Sequence, residues 1–121
     1  MFDVDIDKEQ NLLTIKIAGD FNNQQGVELL HKLQTKINGL THGFKLLTDL
    51  SEIEKMEWDS YQSIDSIMEL CNNHGVAKVI RVVTRESCDI GFNIMSLFHY
   101  PQSVLIHTCK TFKEAEDYLK I

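Results

Sequence analysis

Leu46-Leu47-Thr48-Asp49-Leu50-Ser51-Glu52-Ile53-Glu54-Lys55-Met56-Glu57-Trp58-Asp59-Ser60 changes character midway, and that change orders the rest of the 121-residue chain. Its first part belongs to Phe44–Leu50, a short apolar run flanked by turn residues that reads as a buried strand. Its last part opens an amphipathic segment from about Asp59 to His74. There Ile64, Ile67, Met68 and Cys71 fall on one face, and Gly75 supplies the stop. A buried strand feeding a helix is the repeating unit of a parallel sheet.

Upstream, Phe2, Val4 and Ile6 alternate with Asp3, Asp5 and Asp7, the period-2 pattern of a half-exposed strand. Leu13, Ile15 and Ile17 alternate in the same way after the polar stretch Lys8 to Asn11, so the two strands pair as an antiparallel hairpin ending at Gly19. The acidic outer face suits a sheet edge, where charge discourages further pairing. Val27, Leu30, Leu33, Ile37 and Leu40 then recur at helical spacing, with Asn22 as cap, Gln25 in the capping-box position and Asn38-Gly39 as the stop.

Downstream, Val76 to Val83 is the clearest central strand, and Ile90 to Tyr100 reads as a helix closed by Pro101. Val104 to His107 is a last strand. Thr111 to Glu114 is a capping box opening a terminal helix with Phe112, Ala115 and Leu119 inward. The order β-β-α-β-α-β-α-β-α predicts one α/β domain spanning residues 1–121. Its sheet is mixed but mostly parallel, with about five strands, an N-terminal antiparallel hairpin and about four helices.

The composition narrows the function. Twelve basic residues against eighteen acidic ones leave a net charge of −6, which disfavours nucleic acid. Lys and Arg are scattered, so membrane contact is at most peripheral. Cys71, Cys88 and Cys109 cannot all pair within one chain and show no metal spacing; with no signal-peptide pattern at the start, they point to a cytoplasmic protein. Cys71 and Cys109 read as small core residues. Cys88, between Arg85 and Asp89, lacks an adjoining histidine to activate it. His31, His42, His74, His99 and His107 show no ligand spacing, and no phosphate or dinucleotide loop occurs. No catalytic residue, metal or cofactor is therefore assigned.

Open α/β sheets bind at the carboxyl ends of their parallel strands. One such end carries Gly19-Asp20-Phe21-Asn22, and another gathers Asp49, Ser51, Asp59 and Ser60 beside helix N–H groups suited to an anion. The structural reading is that Asp59 caps its own helix, with Gln62 behind it, and that Ser51 satisfies a turn.

Ala18-Gly19-Asp20-Phe21-Asn22, Leu46-Leu47-Thr48-Asp49-Leu50-Ser51 and His74-Gly75-Val76 before a valine-rich strand together resemble the STAS domain of anti-sigma-factor antagonists. The likeness is to its SpoIIAA-like branch of small bacterial proteins and covers nearly the whole chain. It implies a non-enzymatic regulatory module that binds a protein partner, or a second copy, around Asn22, Asp49, Ser51, Asp59 and Ser60. Asp49-Leu50-Ser51 matches the family's Asp-x-Ser strand end. The family's phosphorylated serine, however, aligns with Asp59 and the following glycine with Ser60, so the phosphoswitch is not carried over. A one-residue shift makes Ser60 the acceptor, followed by Tyr61 rather than glycine.

Phe92, Ile94, Met95, Leu97, Phe98 and Tyr100 are too many apolar residues for one helical face. They read as core or dimer interface. The alternative is a lid over a hydrophobic small molecule or lipid, or a peripheral membrane contact.

Overall fold

Alternation sets the first hairpin, and the computed structural model, which describes residues 1–84 and 100–120, shows it directly. Strand β1 (Phe2–Asp7) pairs antiparallel with β2 (Leu12–Phe21), from Phe2 opposite Ile17 to Asp7 opposite Leu12. Val4, Leu13, Ile15 and Ile17 are buried while Asp3 and Asp5 face solvent. The polar turn between the strands puts Asn11 at φ 53°, a left-handed conformation asparagine tolerates.

Three further strands extend the sheet: β3 (Lys45–Met56), β4 (Lys78–Val82) and β5 (Leu105–Cys109). The order is β1-β2-β3-β4-β5, and every pair after the hairpin is parallel. This is the predicted mixed sheet, with the acidic strand at one edge. Helices α1 (Asn23–Lys36) and α2 (Tyr61–Asn73) cover one face. Leu46, Leu50, Val79 and Val83 meet them there, in one core with Leu29, Leu33, Ile64, Ile67 and Met68. Helix α3 (Phe112–Leu119) lies on the other face, where Leu47, Ile80 and Val82 pack with Ala115 and Cys109.

The chain's charges help to seat α3. A helix ends in carbonyls without intrahelical partners and with partial negative charge. The Lys78 Nζ donates to the Tyr118 carbonyl at 3.0 Å and the Lys45 Nζ to that of Leu119 at 3.3 Å. Lys78 is nearly buried for the purpose. At the other end Thr111 Oγ1 accepts from the Glu114 N–H at 3.2 Å, the predicted cap.

Several expectations are corrected. The buried face of α1 is Gly26, Leu29 and Leu33, not a stripe beginning at Val27, which is exposed. The rotation follows from Gly26, where the helix comes so close to α2 that an added Cβ would stand 2.7 Å from Ser63 Cβ. Asn38-Gly39 does not stop α1 in a left-handed turn; the helix tightens into a 3₁₀ turn, Ile37–Gly39, that buries Ile37. Strand β2 runs past Gly19 to Phe21, and β3 runs past Leu50 to Met56. Phe112 stands half exposed beside the buried Ala115. The helix predicted over Ile90 to Tyr100 lies outside the described residues but for Tyr100, which is buried. Among the described residues there are three α-helices.

Candidate functional site

Asp49 and Ser51 lie inside β3, which runs on past the strand end where the sequence places them. Asp49 Oδ1 accepts from both the backbone N–H of Ser51 (3.0 Å) and its hydroxyl (2.6 Å). That local bond diverts the Ser51 N–H from the ladder, and the pairing shifts there: Lys16 stands opposite Asp49, yet Ala18 stands opposite Glu52. A second extra residue is taken up between Gly19–Ile53 and Asp20–Lys55, beside Gly19 at φ 68°. The neighbouring Lys16 is held above the usual lysine pKa by its hydrogen bond to Glu52 and by that carboxylate's charge, at 2.7 Å. Thr84 Oγ1 donates to the Ser51 carbonyl at 3.4 Å.

Asn22, Asp59 and Ser60 form a separate group where β2 hands over to α1 and β3 to α2. Asn22 Oδ1 accepts from the Gln25 N–H at 3.0 Å, the predicted cap. Asp59 does not cap its own helix. It sits in a 3₁₀ turn, Trp58–Ser60, and its Oδ1 accepts from the Asn23 N–H at 3.2 Å, so it caps the neighbouring helix instead. The N-cap position of α2 is Ser60, whose side chain makes no capping bond. Its hydroxyl donates to the Glu57 carbonyl at 2.6 Å, and the residue is fully buried. A serine so placed offers no hydroxyl to a kinase in this conformation. The Glu57 N–H in turn donates to the Phe21 carbonyl at 2.8 Å, tying the turn to the end of β2.

Since Asp59 contributes a carboxylate at the positive end of α1, Asp59→Ala is expected to cost about 1 kcal/mol of stability, and Asp59→Asn less. Urea denaturation of the three proteins at neutral pH checks this. Equal loss for both variants would mean that the acceptor oxygen is not what counts.

The feature that the sequence reading passed over is Trp58. It is 82% exposed on this fastened turn, and Tyr61, three residues on, is also exposed. The one signal for it was an aromatic between two acids, Glu57 and Asp59, outside any apolar period.

Under α1 and α2 lies a cavity of about 30 Å³, lined mainly by aliphatic side chains with Thr48, Arg81 and Tyr100. That is close to the volume of one water molecule. Burial pushes the Tyr100 hydroxyl above its ordinary pKa, with the Cys71 thiol adding to this and the Arg81 charge opposing it. Burial likewise raises the Cys71 thiol to about 12, so it stays protonated and inert at neutral pH. Of the predicted apolar segment, Phe92, Ile94, Met95, Leu97 and Phe98 lie outside the described residues, as do Cys88 and His99. His74 Nε2 bonds the Leu40 carbonyl at 2.8 Å and packs edge-on against Phe44. Among the described residues no group of His, Cys, Asp and Glu is placed to hold a metal, and no helix is long and apolar enough to cross a membrane.

A scan of protein-family models finds no match, and a search of curated proteins finds no similar sequence. Solved structures do match, and the fold is SpoIIAA-like. An uncharacterized protein of the DUF3478 family with a SpoIIAA-like fold, from Shewanella loihica PV-4, superposes with a TM-score of 0.72 at 16% identity, over 98% of this chain and 93% of that one. The anti-sigma factor antagonist SpoIIAA in its unphosphorylated form gives 0.66 at 15% identity, over 99% and 98%. An anti-sigma factor antagonist from Mycobacterium paratuberculosis gives 0.62 at 10% identity, over 100% and 96%.

Proposed function

We propose that this chain is a non-enzymatic regulatory module of the cytoplasm. It acts by binding a protein partner at the end where β2 and β3 pass into α1 and α2. The observation that carries the reading is Trp58, held out to solvent by a turn fixed through Glu57, Asp59 and Ser60. An exposed indole offers a large apolar area with only two side-chain torsions to fix on binding, the profile of an interface anchor. The likeness to two anti-sigma factor antagonists supports the regulatory class. Asn22 and Asp59 shape the surface, Ser60 supports it from beneath, and Asp49 and Ser51 set the strand that delivers it.

The protein immobilised and exposed to extract of its source cells should retain a partner. Trp58→Ala should weaken that partner's binding about thirtyfold, the roughly 2 kcal/mol of an interface hot spot. Retention unchanged by Trp58→Ala would reject this surface. Retention of the same chain alone would make the partner a second copy.

A further inference from the structure

The outer face of α2 carries a pattern that the core does not explain. Trp58 and Tyr61 are three residues apart across a 3₁₀ turn, where positions i and i+3 eclipse, so they share one side. Asp65 and Glu69 follow at intervals of four, which continues that side along the α-helix. All four are exposed. From Trp58 to Glu69 the stripe covers about 16 Å, or three turns. One end is aromatic and the other acidic.

The helix dipole does not account for the acidic half. Negative charge steadies a helix at its first turn, and α2 has no acidic residue there. Glu69 stands instead in the second half, where the dipole opposes it, and no basic residue follows in the last turn. The surroundings share the bias. Residues 20–28 and 52–65 hold seven acidic side chains and one basic, while the rest of the chain balances at eleven of each. Those two stretches alone thus carry a net charge of −6.

We infer that the partner segment is a cationic helix laid along α2, a conclusion that rests on the reading of this end as a protein-binding surface. It places an apolar or arginine side chain on the Trp58 and Tyr61 rings. Lys or Arg follow one and two turns away, opposite Asp65 and Glu69. An arginine over the indole gains from the ring's negative face as well as from its area. The acidic field draws such a segment in and repels nucleic acid and anionic lipid alike.

The test replaces Tyr61 with the photo-crosslinking residue p-benzoylphenylalanine in the full chain, irradiates it in extract of the source cells and sequences the captured peptide. The expected peptide carries a net positive charge with basic residues at helical spacing. Its yield should fall at least tenfold in about 1 M salt, where screening reaches down to roughly 3 Å. A paired Asp65→Lys and Glu69→Lys variant, shown folded by circular dichroism, should lose it to a similar degree. A neutral or acidic peptide captured at this position, or capture indifferent to salt and to charge reversal, overturns the inference and leaves the binding surface standing. Capture of this chain's own peptides overturns it too. No capture here, with a protein captured by the same residue placed at the exposed Leu105, overturns the surface itself.

Discussion

Phe44→Ala is expected to lower the free energy of unfolding by about 3–5 kcal/mol, the largest single effect predicted for this chain. Phe44 is fully buried at the entrance to β3, and its ring meets the His74 ring with centroids 5.8 Å apart. Its carbonyl accepts from the Ala77 N–H at 2.9 Å, so the backbone there also aligns β4. Removing the ring leaves a void between the foot of the sheet and the end of α2, which the stiff strand above it cannot collapse to fill. Urea denaturation followed by circular dichroism measures the loss. A change under about 1 kcal/mol would mean that the site relaxes freely and that the core is looser than its burial suggests.

Gly26→Val is expected to cost about 2–3 kcal/mol by overpacking, with no help from a better helix former. A Cβ at this position would lie 2.7 Å from Ser63 Cβ and 2.8 Å from its hydroxyl oxygen. Ser63 is itself buried, so it has no room to turn away. The two helices must part, and the Asn23–Asp59 contact at their common end parts with them. Ser63→Gly in the same chain should restore part of the stability, because the clash is with that side chain. Additive losses from the two changes would show that the helices are not in contact at this point. Partner binding should weaken in the single variant even at temperatures where it remains folded.

Sequence reading succeeded where structure is decided within a few residues. The alternation around Leu13, Ile15 and Ile17, the Asn22 and Thr111 caps and the stop at Gly75, φ 92°, all follow from local sterics and hydrogen bonding. It failed where the deciding partner is distant. The α1 face was misplaced because a glycine adds nothing to an apolar count, yet Gly26 fixes the close approach to α2. Asp59 looked like a cap for the helix it precedes, while its partner N–H lies 36 positions earlier. The second half of β3 is polar, and among the described residues Glu52 to Met56 pair only with β2, since β4 ends at Val82, opposite Asp49. A strand half covered on one side does not announce itself by hydrophobicity.

The hydrogen-bonded pair of Asp49 and Ser51 has one more effect, on the fidelity of assembly. Strands β2 and β3 are long, and Leu13, Ile15 and Ile17 are nearly interchangeable, so a slip of two residues would keep every side chain on its proper face. The alternating pattern cannot forbid that error. The two bulges can, because the kink that Asp49 and Ser51 impose and the left-handed Gly19 match their opposite residues in one alignment only. The pair works as a ruler, checking the offset between two strands whose aliphatic residues would accept several.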